Sequence, residues 1–309
     1  MERISKFIVT KSKTFVFYIM LFYILSFSIF TVRVNADDVD VRVSNCSALQ
    51  TAIQQGDEKT INVATVTITS GSGDNYSGVN GIKTIEGKNN TLDGGTDSNN
   101  YGFVLDGGGK KLTISDLKMQ NFKKNATSFD DKKMANGGAI LVNGGSNLVF
   151  SEDVSFTNNT ISGGGGSFEN NGGGCGALAL NEGASLEASN ANLRFLYNGS
   201  GNASGGALYF NKSTVTFNSC TIEFVGNTAG DEGGAVWSYD DSFMGFDGCT
   251  VKFEGNKANV NPDGHGNVLG IGGAISMKTN SAQMQFHDTS VLSLVILQNL
   301  AEQYTIMVI

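Results

Sequence analysis

Few residues in this sequence have the types and spacing that catalysis or metal binding requires. The two histidines, His265 and His287, are far apart, and neither has a histidine or cysteine at the spacing of a zinc site. Glycine- and aspartate-containing stretches at 70–78 and 93–100 do not repeat, and they lack the loop spacing of a calcium hand. The segment at 106–112 lacks the serine or threonine of a phosphate loop. We therefore predict no metal site and no cofactor.

Two of the four cysteines occupy equivalent positions in a recurring pattern. Cys220 and Cys249 each precede a phenylalanine, Phe224 or Phe253, by four residues. If the units of that pattern stack, the two Cα atoms lie about 4.8 Å apart, which is within the range of a disulfide. Export would allow oxidation, but parallel Cβ vectors are awkward for a bridge. A disulfide and a reduced apolar pair both stay open.

The first 36 residues are predicted to be a signal peptide. A basic start is followed by an apolar run at 15–30 and by the sequence VNA, which ends at Ala36 and suits cleavage before Asp37. An uncleaved membrane anchor is the alternative, because the run is near the lower limit for a span. Either interpretation predicts an exported chain.

The remaining chain is acidic and rich in glycine. Residues 1–36 hold five of the 21 basic and one of the 29 acidic residues, so 16 basic and 28 acidic residues remain, a net charge of −12. Such a surface repels nucleic acid and gains little from anionic lipid, so neither is a predicted partner. Glycine accounts for 41 residues and proline for one, which predicts many tight turns between short extended segments.

Two short motifs alternate along the chain. One is Gly-Gly-Ala before an apolar residue, and the other is Phe-x-x-Asn. From motif alanine to motif phenylalanine is 17 or 18 residues, whereas the return distance is 11 to 21 residues. Constant length indicates packed structure, and variable length indicates a surface loop. The copies are Gly137, Gly138 and Ala139 with Phe156 and Asn159; Cys175, Gly176 and Ala177 with Phe195 and Asn198; Gly205, Gly206 and Ala207 with Phe224 and Asn227; Gly233, Gly234 and Ala235 with Phe253 and Asn256; and Gly272, Gly273 and Ala274.

Inside each constant segment the apolar residues alternate with polar ones, as at Leu208 and Phe210 or Val215 and Phe217. This spacing predicts three short strands per unit with their apolar side inward. Repetition in register predicts a β-solenoid in which equivalent strands pair in parallel. The motif phenylalanines would then stack inside it. The motif asparagines would take left-handed backbone at a corner and bond to one another, and the glycines would allow close corners.

The N-terminal part is predicted to cap this solenoid, with the cap at 37–60 and the repeat domain at 61–309. Leu49 and Ile53 are four apart in a short amphipathic helix, for which Ser44 or Ser47 is the predicted N-cap. Such a helix would cover the open apolar end of the solenoid. Phe122 begins a weak copy of the second motif, because the strand before it is offset.

The alternating tetrapeptides resemble the chlamydial polymorphic outer membrane protein family, over about residues 101–303. The resemblance implies an all-β fold, a right-handed parallel β-helix of the pectin-lyase-like type, preceded here by the short capping helix. It also implies a secreted or surface protein, associated with a bacterial outer membrane as an autotransporter-like passenger. The sequence departs from the family because no room remains for the C-terminal barrel, so we expect a truncated product.

Family members of this kind are adhesins, which implies binding to a host-cell or extracellular-matrix protein or glycan. Loops such as 162–174 and 259–272 would supply the contacts. A further hypothesis is that the chain is a non-functional fragment of a longer adhesin.

The same fold hosts polysaccharide lyases and hydrolases, which makes a carbohydrate-processing enzyme the alternative. A lyase needs an arginine base beside calcium-binding carboxylates, and a hydrolase needs neighbouring aspartates. Downstream of residue 36 the arginines are Arg42 and Arg194, and Glu187 is the acidic residue closest to Arg194 in its unit. Acidic residues occur mostly in predicted loops, and their pairs do not share a repeat position, so they are not expected to stack into a cluster. The pairs are Asp130 with Asp131, Asp231 with Glu232, and Asp240 with Asp241. We therefore predict no catalytic residues and no enzyme activity.

Overall fold

The structure is a computed structural model that describes residues 41–55, 59–65, 67–69, 75–96, 101–126, 136–163, 174–201, 203–258, 273–279 and 281–292. The predicted signal peptide, Gly272, His265 and nearly all of the two predicted binding loops lie outside these residues. The described part is mostly β strand in parallel sheets, with one helix. The predicted all-β class with a short N-terminal helix is confirmed at this level.

The strands are short and closely spaced along the chain. Up to residue 126 they are β1 (Val41–Val43), β2 (Lys59–Val63), β3 (Thr67–Thr69), β4 (Asn75–Ser77), β5 (Ile82–Asp93), β6 (Tyr101–Leu105), β7 (Lys111–Gln120) and β8 (Lys123–Ala126). From residue 136 to 200 they are β9 (Asn136–Gly137), β10 (Ile140–Val142), β11 (Asn147–Thr157), β12 (Thr160–Gly163), β13 (Gly174–Cys175), β14 (Leu178–Asn181), β15 (Ser185–Ser189), β16 (Asn192–Leu196) and β17 (Gly199–Ser200). The later strands are β18 (Leu208–Asn211), β19 (Thr214–Asn218), β20 (Thr221–Val225), β21 (Thr228–Ala229), β22 (Val236–Tyr239), β23 (Phe243–Asp247), β24 (Thr250–Glu254), β25 (Ile275–Met277), β26 (Gln283–His287) and β27 (Ser290–Leu292).

The one helix among the described residues, α1 (Cys46–Gln54), begins at an N-cap that the sequence did not predict. Asn45 has extended backbone (φ −154°, ψ 169°), and its Oδ1 accepts a first-turn N–H at 2.9 Å. The prediction of Ser44 or Ser47 as the cap is therefore wrong. The buried Leu49 and Ile53 belong to the same apolar core as the strands.

Strands pair in parallel with their equivalents in the next repeat. Leu208 pairs with Val236, for example, and Val236 pairs with Ile275. The largest sheet has 14 strands because β5, β7 and β11 bend and take part in two ladders. These ladders are β1-β2-β5-β7-β11-β15-β19-β23-β26 and β3-β5-β7-β11-β16-β20-β24-β27. The smaller sheets are β4-β6-β10-β14-β18-β22-β25, β8-β12-β17-β21 and β9-β13.

The sheet formed by β8, β12, β17 and β21 was not predicted. The sequence indicated three strands per unit, but a further short strand follows the motif asparagine, as at Gly199–Ser200. Its two residues are too few for any alternation of apolar and polar side chains to be visible. The short strand leads the chain toward the variable segment of each repeat.

The interior is one apolar core with columns of aromatic rings. Phe156, Phe195, Phe224 and Phe253 are stacked nearly parallel, with ring centroids 5.2, 4.9 and 5.0 Å apart in succession. This is the column that the motif spacing predicts. A second column contains Phe217, Phe246 and Phe286. Aromatic pairs in such geometry add to the free energy gained by burying their area.

Single residues with left-handed backbone recur at stacked corners. The sequence predicted this conformation for the motif asparagine, and that prediction is wrong by one position. The residue before it carries the positive φ, because the asparagine side chain is turned into the interior. The set is Asn121, Asn158, Tyr197, Gly226 and Gly255, with φ from 55° to 65°. Another set, between the two ladders of the largest sheet, is Asp116, Glu152, Asn190, Ser219, Gly248 and Asp288, with φ from 45° to 59°.

Candidate binding surface

The motif asparagines form a buried hydrogen-bonded ladder, so their role is structural. Asn159, Asn198 and Asn227 are fully buried. Each side-chain Nδ2 donates to the Oδ1 of the next asparagine, at 3.0, 3.0 and 2.9 Å, and the last acceptor is Asn256. The backbone N–H of each also donates to that oxygen, at 3.0 to 3.1 Å. The ladder leaves these side chains unavailable to a ligand.

The weak copy at Phe122 occupies the ladder position rather than the aromatic column. Its backbone N–H donates to Asn159 Oδ1 at 3.0 Å, just as the next asparagines do. Met119 pairs with Phe156 and takes the aromatic position. This copy is therefore displaced by three residues from the position of the other motif phenylalanines. Phe122 forms the N-terminal end of the ladder.

The second glycine of each motif lies where no side chain fits. A Cβ on Gly138, Gly206 or Gly234 would lie 2.1 to 2.2 Å from the carbonyl oxygen of the equivalent glycine in the next repeat. Gly176 is equally close to Asn159 O, at 2.3 Å. The motif alanines that follow are buried in the core: Ala139, Ala177, Ala207, Ala235 and Ala274.

The first glycine position is less uniform. Gly205 and Gly233 have positive φ, of 77° and 61°, whereas Gly137 pairs with Cys175 in a parallel bridge. Cys175 is buried, which raises the pKa of its thiol well above the usual range. Cys175 carries a side chain at this position, whereas a Cβ on Gly137 would lie 1.9 Å from Ile140 O.

The variable segments all leave the scaffold at one edge. Before them, Ala126 pairs with Gly163, and after them Asn136 pairs with Gly174. The flanking strands therefore keep their register although the intervening segments differ in length between repeats. Sequence changes in these segments can alter the surface without changing the core.

Beside this edge a buried carboxylate holds an aromatic cluster on the outer face of β18 and β22. The rings of Tyr209 and Trp237 stack at 4.7 Å. Glu232, which is 1% exposed, accepts from Trp237 Nε1 at 2.8 Å and from Lys278 Nζ at 2.7 Å. Burial, together with the Glu232 charge, raises the pKa of Asp231 to about 6. The sequence placed this acidic pair in a loop and gave no sign that Glu232 is buried.

Arg194 lies near acidic residues of other repeats, which the sequence comparison within its own unit did not consider. It lines a pocket of about 130 Å³ together with Asp116 and Asp153, which come from the two preceding repeats. At the same corner a hydrogen bond and repulsion from Asp116 raise the pKa of Glu152, and Glu86 adds a smaller repulsion. The acidic residues therefore do stack here. The sequence argument missed this because it compared acidic residues within one unit.

The other candidate residues lie apart from this pocket. All four cysteines are free thiols; Cys249 Sγ accepts from the Cys220 N–H at 3.4 Å, and both side chains are buried. His287 lies on the surface, where a hydrogen bond from its ring to Asp247 raises its pKa. Within the described ranges, no group of histidine, cysteine and acidic side chains is arranged to hold a metal ion. None of the helices in those ranges is long and apolar enough to cross a membrane.

Comparison with models of known protein families finds no match, and comparison with curated protein sequences finds none either.

Proposed function

We propose that this chain is an exported surface protein that binds host-cell or extracellular-matrix partners, as an adhesin-like passenger does. The observation that carries the proposal is the stacked edge from which the variable segments leave a scaffold of constant register. A rigid scaffold that presents variable loops is the usual arrangement of a binding surface. The acidic surface expected of the chain favours basic or neutral partners.

The architecture that we propose is a right-handed parallel β-helix of the pectin-lyase-like type. Its support is the parallel pairing of each strand with its equivalent in the next repeat, together with the internal phenylalanine column and asparagine ladder. Parallel strands joined by a crossover are almost always right-handed. The resemblance to polymorphic outer membrane proteins supports the same architecture and a location at the cell surface.

The test is adhesion by the purified protein to cell and matrix preparations. In a matched variant, residues 162–174 are replaced by the equivalent short connection Gly201–Ser204 of the following repeat, so that Ile161 and Cys175 take the spacing of Ser200 and Gly205. We expect the protein to bind at least one preparation and the variant to bind more weakly with an unaltered circular dichroism spectrum. Absence of binding to every preparation would contradict the proposal.

A carbohydrate-processing enzyme is the second candidate, and the carboxylates beside Arg194 are the observation that favours it. Release of reducing sugars or unsaturated products from polyuronides would support that candidate. An inert fragment of a longer adhesin would show neither adhesion nor turnover.

A further inference from the structure

An exposed tyrosine occupies one of the left-handed corners of the scaffold. Tyr197 has a φ of 56° and is 59% exposed. A bulky residue rarely adopts this conformation, whereas asparagine and glycine do so readily. The equivalent corners of the other repeats hold those two residue types: Asn121, Asn158, Gly226 and Gly255. Among the described residues, Tyr197 is the one aromatic residue with a positive φ, so the backbone of the corner does not explain it.

The ring of this tyrosine lies on the outer surface, against the next corner. A Cβ on Gly226 would lie 2.6 Å from two ring carbons of Tyr197, so the ring occupies the place that a side chain there would take. The ring does not cover the core, because the residue turned inward and fully buried at this corner is Asn198. A residue in a strained conformation that leaves the core uncovered is a candidate for a binding role.

Two half-buried aliphatic side chains adjoin the tyrosine. Leu196 and Val225 pair across β16 and β20, and both lie on the outer face because the phenylalanine before each one points into the core. We call Leu196, Tyr197 and Val225 the tyrosine patch. An aromatic residue within a small apolar area is typical of the centre of a protein interface. The strand that leads to the variable segment, β17, begins two residues after Tyr197, so the patch adjoins the proposed binding edge.

Charged side chains on the same outer face border the patch. Arg194 Nε lies 3.9 Å from Glu223 Oε2, and Lys252 Nζ lies 2.6 Å from Glu254 Oε2, so each cation already faces a carboxylate. Glu254 pairs with Val225 of the patch, and its side chain is 55% exposed. The acidic charge of the whole chain adds to that of Glu254. The patch therefore attracts cations more than anions.

We infer that the tyrosine patch binds a basic segment of a partner protein, with an arginine or lysine side chain against the ring of Tyr197. The aliphatic stem of such a side chain packs on Leu196 and Val225, while its charged head lies at the ring face and on the side of Glu254. An acidic segment is repelled, and a neutral one lacks the charge that this surface attracts. The inference rests on the proposed function, since it names the chemistry of one partner of the binding surface.

The experiment measures binding of a labelled peptide of alternating arginine and glycine to the purified protein, by fluorescence anisotropy at about 0.15 M salt. Comparison peptides carry glutamine or glutamate in place of arginine, and a neutral oligosaccharide is added as a competitor. The variants are Tyr197→Asn, which introduces the residue of the preceding corner, and Tyr197→Phe, which keeps the ring. The matched control is Ser219→Asn, at an exposed corner of the other set with φ 54°, where the preceding corner also holds asparagine. These substitutions leave the net charge unchanged.

We expect Tyr197→Asn to weaken binding of the arginine peptide about tenfold, the loss of a cation–π contact with its packing. Tyr197→Phe and Ser219→Asn should bind as the parent does. Equal binding by all four proteins would show only a general attraction of the acidic surface and would overturn the inference. Failure of the parent to bind the arginine peptide, equal binding of the glutamine peptide, or displacement by the oligosaccharide would overturn it as well.

Two further measurements separate this role from stability and from the proposed function. The urea midpoint of Tyr197→Asn should be no lower than that of the parent, because asparagine adopts left-handed backbone readily; a lower midpoint would contradict the argument that the ring has no structural role. A parent that adheres to cells without binding the arginine peptide removes this inference and leaves the proposed function. A parent that binds the peptide but adheres to no preparation removes the proposed function alone.

Discussion

Replacing Asn198 by alanine tests whether the asparagine ladder stabilises the fold. Asn198 is fully buried and donates to Asn227 Oδ1 and to Phe156 O, both at 3.0 Å. It accepts from the backbone N–H and from Nδ2 of Asn159, at 3.1 and 3.0 Å. Alanine removes all four hydrogen bonds and leaves buried donors and acceptors without these partners. The cost is about 3–5 kcal/mol of the free energy of unfolding.

Urea unfolding, followed by the fluorescence of Trp237, the only tryptophan, measures this cost. Circular dichroism should be recorded in parallel, because a repeat array can unfold in stages. The control is Asn218→Ala, an exposed asparagine whose side chain accepts from Ser219, and its effect should stay within about 0.5 kcal/mol. If the two alanine variants differ by less than about 1 kcal/mol, the ladder does not contribute as argued.

Three further outcomes are expected. Gly206→Ala should destabilise the protein by about 1–3 kcal/mol, because its Cβ would lie 2.1 Å from Gly234 O; a midpoint of urea unfolding equal to that of the parent would contradict the packing argument. The pKa of Asp231 is raised from 3.8 to about 6, so its contribution to stability is present at low pH and is lost as the pH rises through that window. Asp231→Asn should flatten this part of the pH dependence of the urea midpoint. An unchanged profile would contradict the raised pKa of Asp231. Alkylation of the unfolded, unreduced protein should label Cys220 and Cys249 if they are the free pair of the structure, whereas an intact mass two hydrogens lower with both unlabelled would show a disulfide.

The parts of the fold that follow from the sequence are those that repeat. Phe224 and Asn227 recur at constant distance from Gly206, so a stack of rings and a chain of amides could be inferred from spacing alone. At each of these positions, the residue contacts a residue of the same type in the neighbouring repeat. Periodicity carries that information without any knowledge of the loops.

The features that the sequence did not reveal depend on contacts between different positions. Asp116, Asp153 and Arg194 come from three successive repeats and line one pocket. The three residues differ in type and in their position within the repeat. Glu232 is covered by Trp237 of β22 and by Lys278, which follows β25, and both donate hydrogen bonds to it. Such contacts require the register of neighbouring strands, which a pattern within one unit does not provide.

The asparagine ladder also has a direction. The side-chain amides of Asn159, Asn198 and Asn227 each donate to the asparagine oxygen of the following repeat. The main-chain N–H of Phe122 donates to the first oxygen of the ladder. A duplicated unit carrying the same motif would meet a waiting donor on one side and a waiting acceptor on the other. Whole repeats could therefore be gained or lost by the gene while the hydrogen bonds of the interior are kept.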